Sequence, residues 1–267
     1  MPSANPPLTR AQTTRIRELL RDKHARQADG TFVVEGAKAV RDLLHGHSSL
    51  VRSIVTTPEY REREDLDDRR LREASSCPSY SCREHIFTAM SDLDTPQGIL
   101  AVVRQPCWKE EDVLGQPTIF GIFGERIQDP LNVGTIIRTA AALNASALWL
   151  TPDSADRYNP KVVRATSGAL FSLPVFTVED AFKLAHSGCS IFAADVNRPG
   201  TVDLEKIHHV PRRLILAVGS EGQGLSAQIT ELATCRLTIP LRRQVESLNV
   251  AATVAITTYY LGHLPKQ

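Results

Sequence analysis

The sequence predicts an α/β protein of two domains, a small one followed by a larger one built on a parallel sheet. Three observations carry this. From Pro117 onward, short and wholly apolar runs alternate with helical patterns, the signature of parallel strands covered on both faces. Before that, a shorter set of strands and amphipathic segments stands by itself. Between the two lies Gln105 to Pro117, polar and bearing two prolines, where few contacts are expected to cross. The predicted boundaries are residues 1–105 for the first domain, 106–116 for a linker and 117–267 for the second.

In chain order, an opening helix is predicted over Thr9–Ala25, then a strand at Phe32–Gly36, a helix at Ala37–Leu44 and a strand at Val51–Thr56. Glu59 to Glu73 mixes seven acids with five arginines and reads as a solvated helix or loop. Ile99–Val103 is a further strand. In the second domain, strands are predicted at Thr118–Phe123, Ala147–Leu150, Ile191–Ala194, Leu214–Val218 and Leu237–Ile239. The helical patterns between them are Val133–Leu143, Lys161–Ala169, Val178–Ala185 and Leu225–Ala233. Val250 to Leu261 is apolar but broken by Thr and Tyr and too short to span a bilayer, so it reads as a buried C-terminal helix.

Hydrophobic content of 42% and charged content of 23% are those of a globular protein with a core in each domain. The net charge of +1 averages over unlike regions: from Arg10 to Arg41 there are eight Lys or Arg against four acids. Arg15, Arg17, Arg21, Lys23 and Arg26 crowd together there, either as a solvated helix face or as a phosphate-contacting patch. The five cysteines are odd in number and form no CxxC pair, which argues against a disulfide framework and a zinc site and fits a reducing cytoplasm. The N-terminus carries no apolar signal core.

The chemistry is concentrated in three later segments. Gly219-Ser220-Glu221-Gly222-Gln223-Gly224 follows the strand Leu214–Val218, and Ile239-Pro240-Leu241 leads from the next strand into Glu246-Ser247-Leu248-Asn249-Val250. Loops rich in Gly and small polar residues at the ends of buried strands make a cradle for a small cofactor. Gly222 to Ala227 also fits the GxGxxG/A dinucleotide pattern. A dinucleotide site needs that loop at the first βα unit and an acid ending the next strand, whereas here it comes late and the next strand ends in Ile239-Pro240. The third segment is Asp129-Pro130-Leu131-Asn132-Val133-Gly134 with Arg138 beyond it, a helix start with Pro near the first turn. Ser247 and Asn249 are each suited to cap the helix that follows. Taken singly, all of these have plain structural readings.

As an ordered set, Asn132-x-Gly134-x3-Arg138, Gly219-Ser220-Glu221-Gly222-x-Gly224-Leu225 and Ile239-Pro240 with Glu246-Ser247-Leu248-Asn249-Val250 resemble the three signature motifs of the SpoU (TrmH-like) RNA ribose 2′-O-methyltransferases. The likeness runs from Pro117 to about Gly262 and includes Asn159-Pro160-Lys161-x2-Arg164-Ala165 with Gly168. Phe32–Gly36 and Thr95–Ala101 are similar to the substrate-binding domain often attached to that family. One departure is the run Glu125-Arg126-Ile127-Gln128-Asp129 before the first motif, where many relatives have a shorter acidic lead.

The resemblance implies a SPOUT-type parallel sheet whose C-terminal part forms a deep trefoil knot, an exception to unknotted topology, and a homodimer joined through the knotted domains. It implies S-adenosyl-L-methionine (AdoMet) as cofactor, bound by Gly219, Gly222, Gly224, Ile239, Leu241, Ser247 and Leu248. Asn132, Arg138, Glu221, Ser247 and Asn249 would be catalytic, with no metal. The implied reaction is methylation of a ribose 2′-OH in structured RNA, with rRNA of the 23S type ahead of tRNA. A non-catalytic RNA-binding protein of the same fold is the remaining alternative. RNA contact is assigned to Arg15, Arg17, Arg21, Lys23, Arg26, Lys38 and Arg41 of the first domain, with Lys161 and Arg164 near the active site. The location implied is the cytoplasm.

Overall fold

The computed structural model describes residues 5–194, 200–220, 222–242 and 246–267. In chain order the elements are α1 (Arg10–Arg21), α2 (Lys23–Asp29), β1 (Thr31–Glu35), α3 (Ala37–His47), β2 (Val51–Thr56), α4 (Pro58–Arg63), α5 (Leu66–Ala74), β3 (Ser79–Ser81), α6 (Glu84–Met90) and β4 (Ile99–Arg104). There follow α7 (Glu110–Leu114), β5 (Ile119–Glu125), α8 (Pro130–Ala142), β6 (Leu148–Leu150), α9 (Pro160–Thr166), β7 (Val175–Thr177) and α10 (Phe182–His186). The chain ends with β8 (Ser190–Ala194), β9 (Val202–Asp203), β10 (Arg213–Gly219), α11 (Ala227–Leu232), β11 (Cys235–Thr238) and α12 (Val250–Gly262). Two compact units result: Met1–Cys107 with Tyr158–Gly168, and Trp108–Arg157 with Ala169–Gln267.

In the first unit the strands run β1-β4-β2-β3, antiparallel except for the β2–β3 pair. Every residue of β1 is buried. Ile16, Leu19 and Leu20 of α1 close a core with Val33, Val55, Phe87, Met90 and Leu100. A reciprocal capping box starts α1: the Thr9 hydroxyl accepts from the Gln12 amide at 3.2 Å and the Thr9 amide donates to Gln12 Oε1 at 2.9 Å, satisfying two otherwise orphaned donors.

Three expectations are corrected in this unit. The single opening helix is two, because Asp22 is extended (φ −115°, ψ 120°) and its side chain accepts from the His24 amide at 2.8 Å, restarting the helix as an N-cap. Arg26, expected at the RNA surface, is only 3% exposed and donates to the Leu19 carbonyl at 2.7 Å, so it ties α2 to α1 and presents no charge to a ligand. The acid–arginine stretch is two helices with a buried core contact: Arg72 meets Glu64 through Nε and Nη2, both at 2.8 Å. That bidentate fork is the geometry in which a buried guanidinium–carboxylate pair keeps its bonds satisfied.

Glu35, ending β1, accepts from the Ser91 hydroxyl and, at 3.4 Å, from the Asp92 amide. Burial outweighs these bonds and pushes its carboxyl above the ordinary 4.5. A raised carboxyl pKa means the fold holds the proton more tightly than the unfolded chain does. The group's contribution is then complete below the ordinary value and is lost as pH rises through the raised one. Glu35→Gln keeps an acceptor for Ser91 and cannot ionise. It is expected to gain stability relative to the parent as pH rises above the ordinary carboxyl value of 4.5, read from urea melts at stepped pH. A difference constant with pH would contradict burial as the cause.

The second unit holds a seven-stranded sheet in the order β7-β6-β5-β10-β8-β11-β9, with every pairing parallel. The late strand β10 lies between β5 and β8, paired to β5 from Arg213↔Ile119 to Gly219↔Glu125. Leu214 to Val218 are all buried, as a central strand covered on both faces requires. Gly121 makes room for the core tryptophan: a Cβ there would stand 2.4 Å from Trp149 and 2.8 Å from Ile215. The indole nitrogen of Trp149 donates to Glu110 at 2.7 Å, so the ring is buried with its polar atom satisfied.

The terminal helix expected to be buried is buried on one side. α12 buries Val250, Ala251, Val254 and Leu261, but Ile256 and Tyr259 are 44% and 62% exposed, because α12 packs on β10 and α8 with one side only. Among the described residues, no helix is long and apolar enough to cross a membrane. All five cysteines are free.

Candidate active site

Three loops at the C-terminal ends of β5, β10 and β11 form the site, where a parallel sheet presents its ligand crevice. The loop after β10 is a tight fold-back. The Gly224 amide donates to the Ser220 carbonyl at 2.8 Å, the Gln223 amide donates to Ser220 Oγ at 3.3 Å, and Gly224 takes φ +64°. Gly219 permits this closure: a Cβ on it would lie 2.1 Å from the Gly224 carbonyl carbon and 2.4 Å from the Leu225 nitrogen. Ser226 then caps α11.

The loop after β11 ends at Asn249, which does two things. Its Oδ1 accepts from the Ala251 and Ala252 amides at 2.9 and 3.3 Å, capping α12. Its Nδ2 donates to Asn132 Oδ1 at 2.9 Å. Asn132 is 7% exposed in the first turn of α8, whose cap is Asp129, accepting from the Leu131 amide at 2.9 Å. The start of α8 and the start of α12 are thereby fixed to one another by an amide–amide bond.

Two adjoining cavities open between these loops. The first has a volume of about 310 Å³ and is lined by all seven residues expected to hold a cofactor, Gly219, Gly222, Gly224, Ile239, Leu241, Ser247 and Leu248, together with Leu237, Val250 and Thr253. Its aliphatic walls and glycine rim suit a flat heteroaromatic base with polar ends met by backbone groups. The second, about 270 Å³, is lined by Arg126, Gln128, Asp129 and Asn132 and shares Ser220, Gly222, Gln223 and Val250 with the first. Unlike the first, its described lining includes charged side chains, Arg126 and Asp129, beside Asn132, the partner of Asn249.

Of the five residues expected to be catalytic, Ser247 lines the first cavity and Asn132 the second, and Asn249 lines neither but is bonded to Asn132. Arg138 lines neither: it is exposed on α8. Six residues from Asn132 is 600° of helix, which leaves the two side chains roughly 120° apart around the axis. Glu221 lies outside the described residues. The cations expected to touch RNA all fall in the first unit. Arg21, Lys38, Arg41 and Lys161 are exposed and Arg17, Lys23 and Arg164 half-buried. Several are already engaged: Arg15 with Glu18 and Asp29, Lys38 with Asp42, Arg41 with Asp68, Arg164 with Asp92. Exposed pairs of this kind are weak and leave the guanidinium or ammonium able to turn to a phosphate.

Two residues not assigned a role from the sequence stand at the site, Glu125 and Arg126. Glu125 Oε2 accepts from the Ser226 amide at 2.7 Å, and Arg126 Nη2 donates to the Gly224 carbonyl at 3.1 Å. Their only signal in the sequence is a charged pair closing an otherwise apolar strand.

The double role of Asn249 gives a separable test. Asn249→Asp retains the cap acceptor and loses the donor to Asn132. Thermal stability is expected to stay within about 1 kcal/mol of the parent, whereas Asn249→Ala forfeits about 1 kcal/mol of capping as well. Turnover by both variants is expected to fall by about tenfold or more, the value of one oriented polar contact. Full turnover in Asn249→Asp would dismiss the Asn132 contact.

Comparison with known proteins places these features in context. The family model described as the SpoU rRNA Methylase family matches residues 120–259, and that of the MRM3-like substrate binding domain matches residues 13–101. The chain is 31% identical over 247 residues to the 23S rRNA (guanosine(2553)-2′-O)-methyltransferase RlmP of Bacillus subtilis, covering 91% of this chain and 92% of that one. It is similar in structure to the SpoU methyltransferase AviRb of Streptomyces viridochromogenes in complex with AdoMet, with a TM-score of 0.82, 25% identity, and 94% and 97% of the two chains covered. It is also similar to the AdoMet-bound rRNA methyltransferase of Sinorhizobium meliloti, with a TM-score of 0.79, 26% identity, and 96% and 95% covered.

Proposed function

The chain belongs to the SpoU rRNA methylase family, and from that premise we propose that it methylates a ribose 2′-oxygen of rRNA, of the 23S type, with AdoMet as donor. The observation that carries the reading is the convergence of Gly219, Gly222, Gly224, Ile239, Leu241, Ser247 and Leu248 on one cavity, beside a second cavity lined by Arg126, Asp129 and Asn132. AdoMet supplies a methyl group on a positively charged sulfur, an electrophile that needs no metal to activate it. In this reading the first cavity holds AdoMet and the second receives the target nucleotide.

The protein's task is alignment and charge stabilisation. Asn132, fixed by Asn249, and Ser247 orient the ribose. Glu221 is assigned to the same task by its place in the motif. Arg138, although it lines neither cavity, is assigned by its place in the motif to orient a backbone phosphate and, as a cation, to stabilise negative charge developing on the 2′-oxygen.

Residues 1–105 serve as the RNA reader, joined by 106–116 to the catalytic domain at 117–267. The family-model match over residues 13–101 and the exposed Arg21, Lys38 and Arg41 support that division. A homodimer is proposed through α8 and α12, which pack on each other and leave Leu131, Ile256 and Tyr259 at 58%, 44% and 62% exposed, an apolar face of the kind that marks an interface. A trefoil knot in the C-terminal part of the sheet and a cytoplasmic location complete the reading.

The test is methyl transfer from labelled AdoMet to size-fractionated RNA from cells lacking the modification. Label in the large rRNA, as ribose 2′-O-methyl on nuclease digestion, is the expected result. Label confined to tRNA would overturn the substrate, and no label on RNA or on ribosomal particles despite AdoMet binding would overturn the activity.

A further inference from the structure

Arg126 occupies a backbone conformation that an arginine rarely takes. At the end of β5 it turns left-handed, φ +56°, with its amide donating to Thr151 Oγ1 at 2.8 Å. Glycine and asparagine are the residues that enter this region readily. What the arginine adds is its side chain. Nη2 donates to the Gly224 carbonyl at 3.1 Å, while Nη1 stands 3.3 Å from Glu125 Oε1. The other oxygen of Glu125 accepts from the Ser226 amide at 2.7 Å. One ion pair thus grips the chain at Gly224 and again at Ser226, either side of the buried Leu225.

The position of that grip matters. Ser220, Gly222 and Gln223 form a wall common to both cavities, and Gly224 is the residue on which their loop closes. Glu125 is buried, so its bond to the Ser226 amide is charge-assisted and sheltered from water, about twice as strong as a neutral one. Arg126 also lines the second cavity, and among the described residues its Nε is buried without a hydrogen-bond partner.

We propose that Glu125 and Arg126 are positioning residues: they clamp the Gly219–Gly224 loop in the shape that holds the cofactor on one side and the acceptor nucleotide on the other. Neither touches the reacting atoms. The inference rests on the proposal that AdoMet occupies the first cavity, and it gives a role to the charged pair before the first motif.

The left-handed backbone makes a clean test. Glycine takes φ +56° without a Cβ to oppose it, so Arg126→Gly removes the grip without straining the turn. Its melting temperature is expected to fall by only a few degrees, the relaxed turn offsetting part of the lost ion pair, while its Kd for AdoMet rises by about tenfold or more, the weight of one hydrogen bond to a charged group. Glu125→Gln keeps an acceptor for Ser226 but drops the ion pair, and is expected to weaken binding by about threefold. In the cofactor-free protein, hydrogen exchange at Ser226 is expected to quicken in both variants. Parental affinity in Arg126→Gly would overturn the proposal, and so would weaker binding accompanied by a loss of melting temperature beyond those few degrees, which would make the role structural only. If the parent itself fails to bind AdoMet, the cofactor reading falls, and the exchange rate at Ser226 still decides whether the clamp exists.

Discussion

Gly219→Ala is expected to abolish measurable AdoMet binding. The methyl group would enter at 2.1 Å from the Gly224 carbonyl carbon, 2.2 Å from its oxygen and 2.4 Å from the Leu225 nitrogen. These are backbone atoms, so no side-chain rotation relieves the contact. The loop itself must move, and it is held by the Gly224–Ser220 backbone bond, by Arg126 and by Glu125. Forcing a methyl into such a site costs about 1–3 kcal/mol where neighbours can shift, and here the neighbours are the cofactor cradle. A fall of at least about a hundredfold in AdoMet affinity corresponds to displacing two or more of its polar contacts. Gly224→Ala is the informative control. Among the described residues no atom lies within 4 Å of its Cβ position, so only the strain of φ +64° applies, about 1–2 kcal/mol. Calorimetric titration should therefore rank Gly219→Ala far below Gly224→Ala, which should rank below the parent. Equal affinities for the two variants would mean that close backbone approach at Gly219 is not what shapes the cavity.

The parts of this fold legible in the sequence are those with a local cause. The core of β10 at Leu214–Val218 declares itself because a strand buried on both faces must be apolar along its length, and the strand at Val51–Thr56 is marked by its buried Val51, Ile54 and Val55. The short strands β3, β7 and β9 do not, since two or three residues carry no periodicity. The break at Asp22 interrupts no hydrophobic pattern, so only the geometry of its side chain reveals it. Glu64 and Arg72 look solvated as composition, and their pairing depends on two helices meeting across a turn. The three motif loops were legible because their residue types are needed at fixed offsets from strand ends. The clamp was not, because Glu125 and Arg126 find Ser226 and Gly224 101 and 98 residues away. Only the insertion of β10 beside β5 brings those residues together. Arg138 shows the opposite limit. Its motif spacing is legible, yet the helix turns it away from the cavities to which the rest of the motif contributes.

That placement sets the second large effect, expected in Arg138→Ala. Arg138 is exposed, and among the described residues no hydrogen bond or ion pair holds its side chain, so its removal should change stability by no more than about 0.5 kcal/mol. It lines neither cavity, so AdoMet affinity should also be unchanged. Turnover on RNA, by contrast, should fall by about 10²–10³, the usual consequence of removing one group that stabilises charge in the transition state. A variant intact in fold and cofactor binding yet defective in transfer would assign Arg138 to the acceptor. Arg138→Lys then separates two chemistries. If the arginine acts as a fixed cation, lysine restores part of the rate, and the ionisation governing the pH–rate profile stays where it is in the parent, because neither side chain loses its proton near neutrality. If it acts as the base that removes the 2′-OH proton, that ionisation must move with the substitution, since an ammonium titrates well below a guanidinium. Single-turnover rates across pH, with AdoMet saturating, decide between them: a profile displaced in Arg138→Lys would remove the fixed-cation role, and a profile merely lowered would establish it.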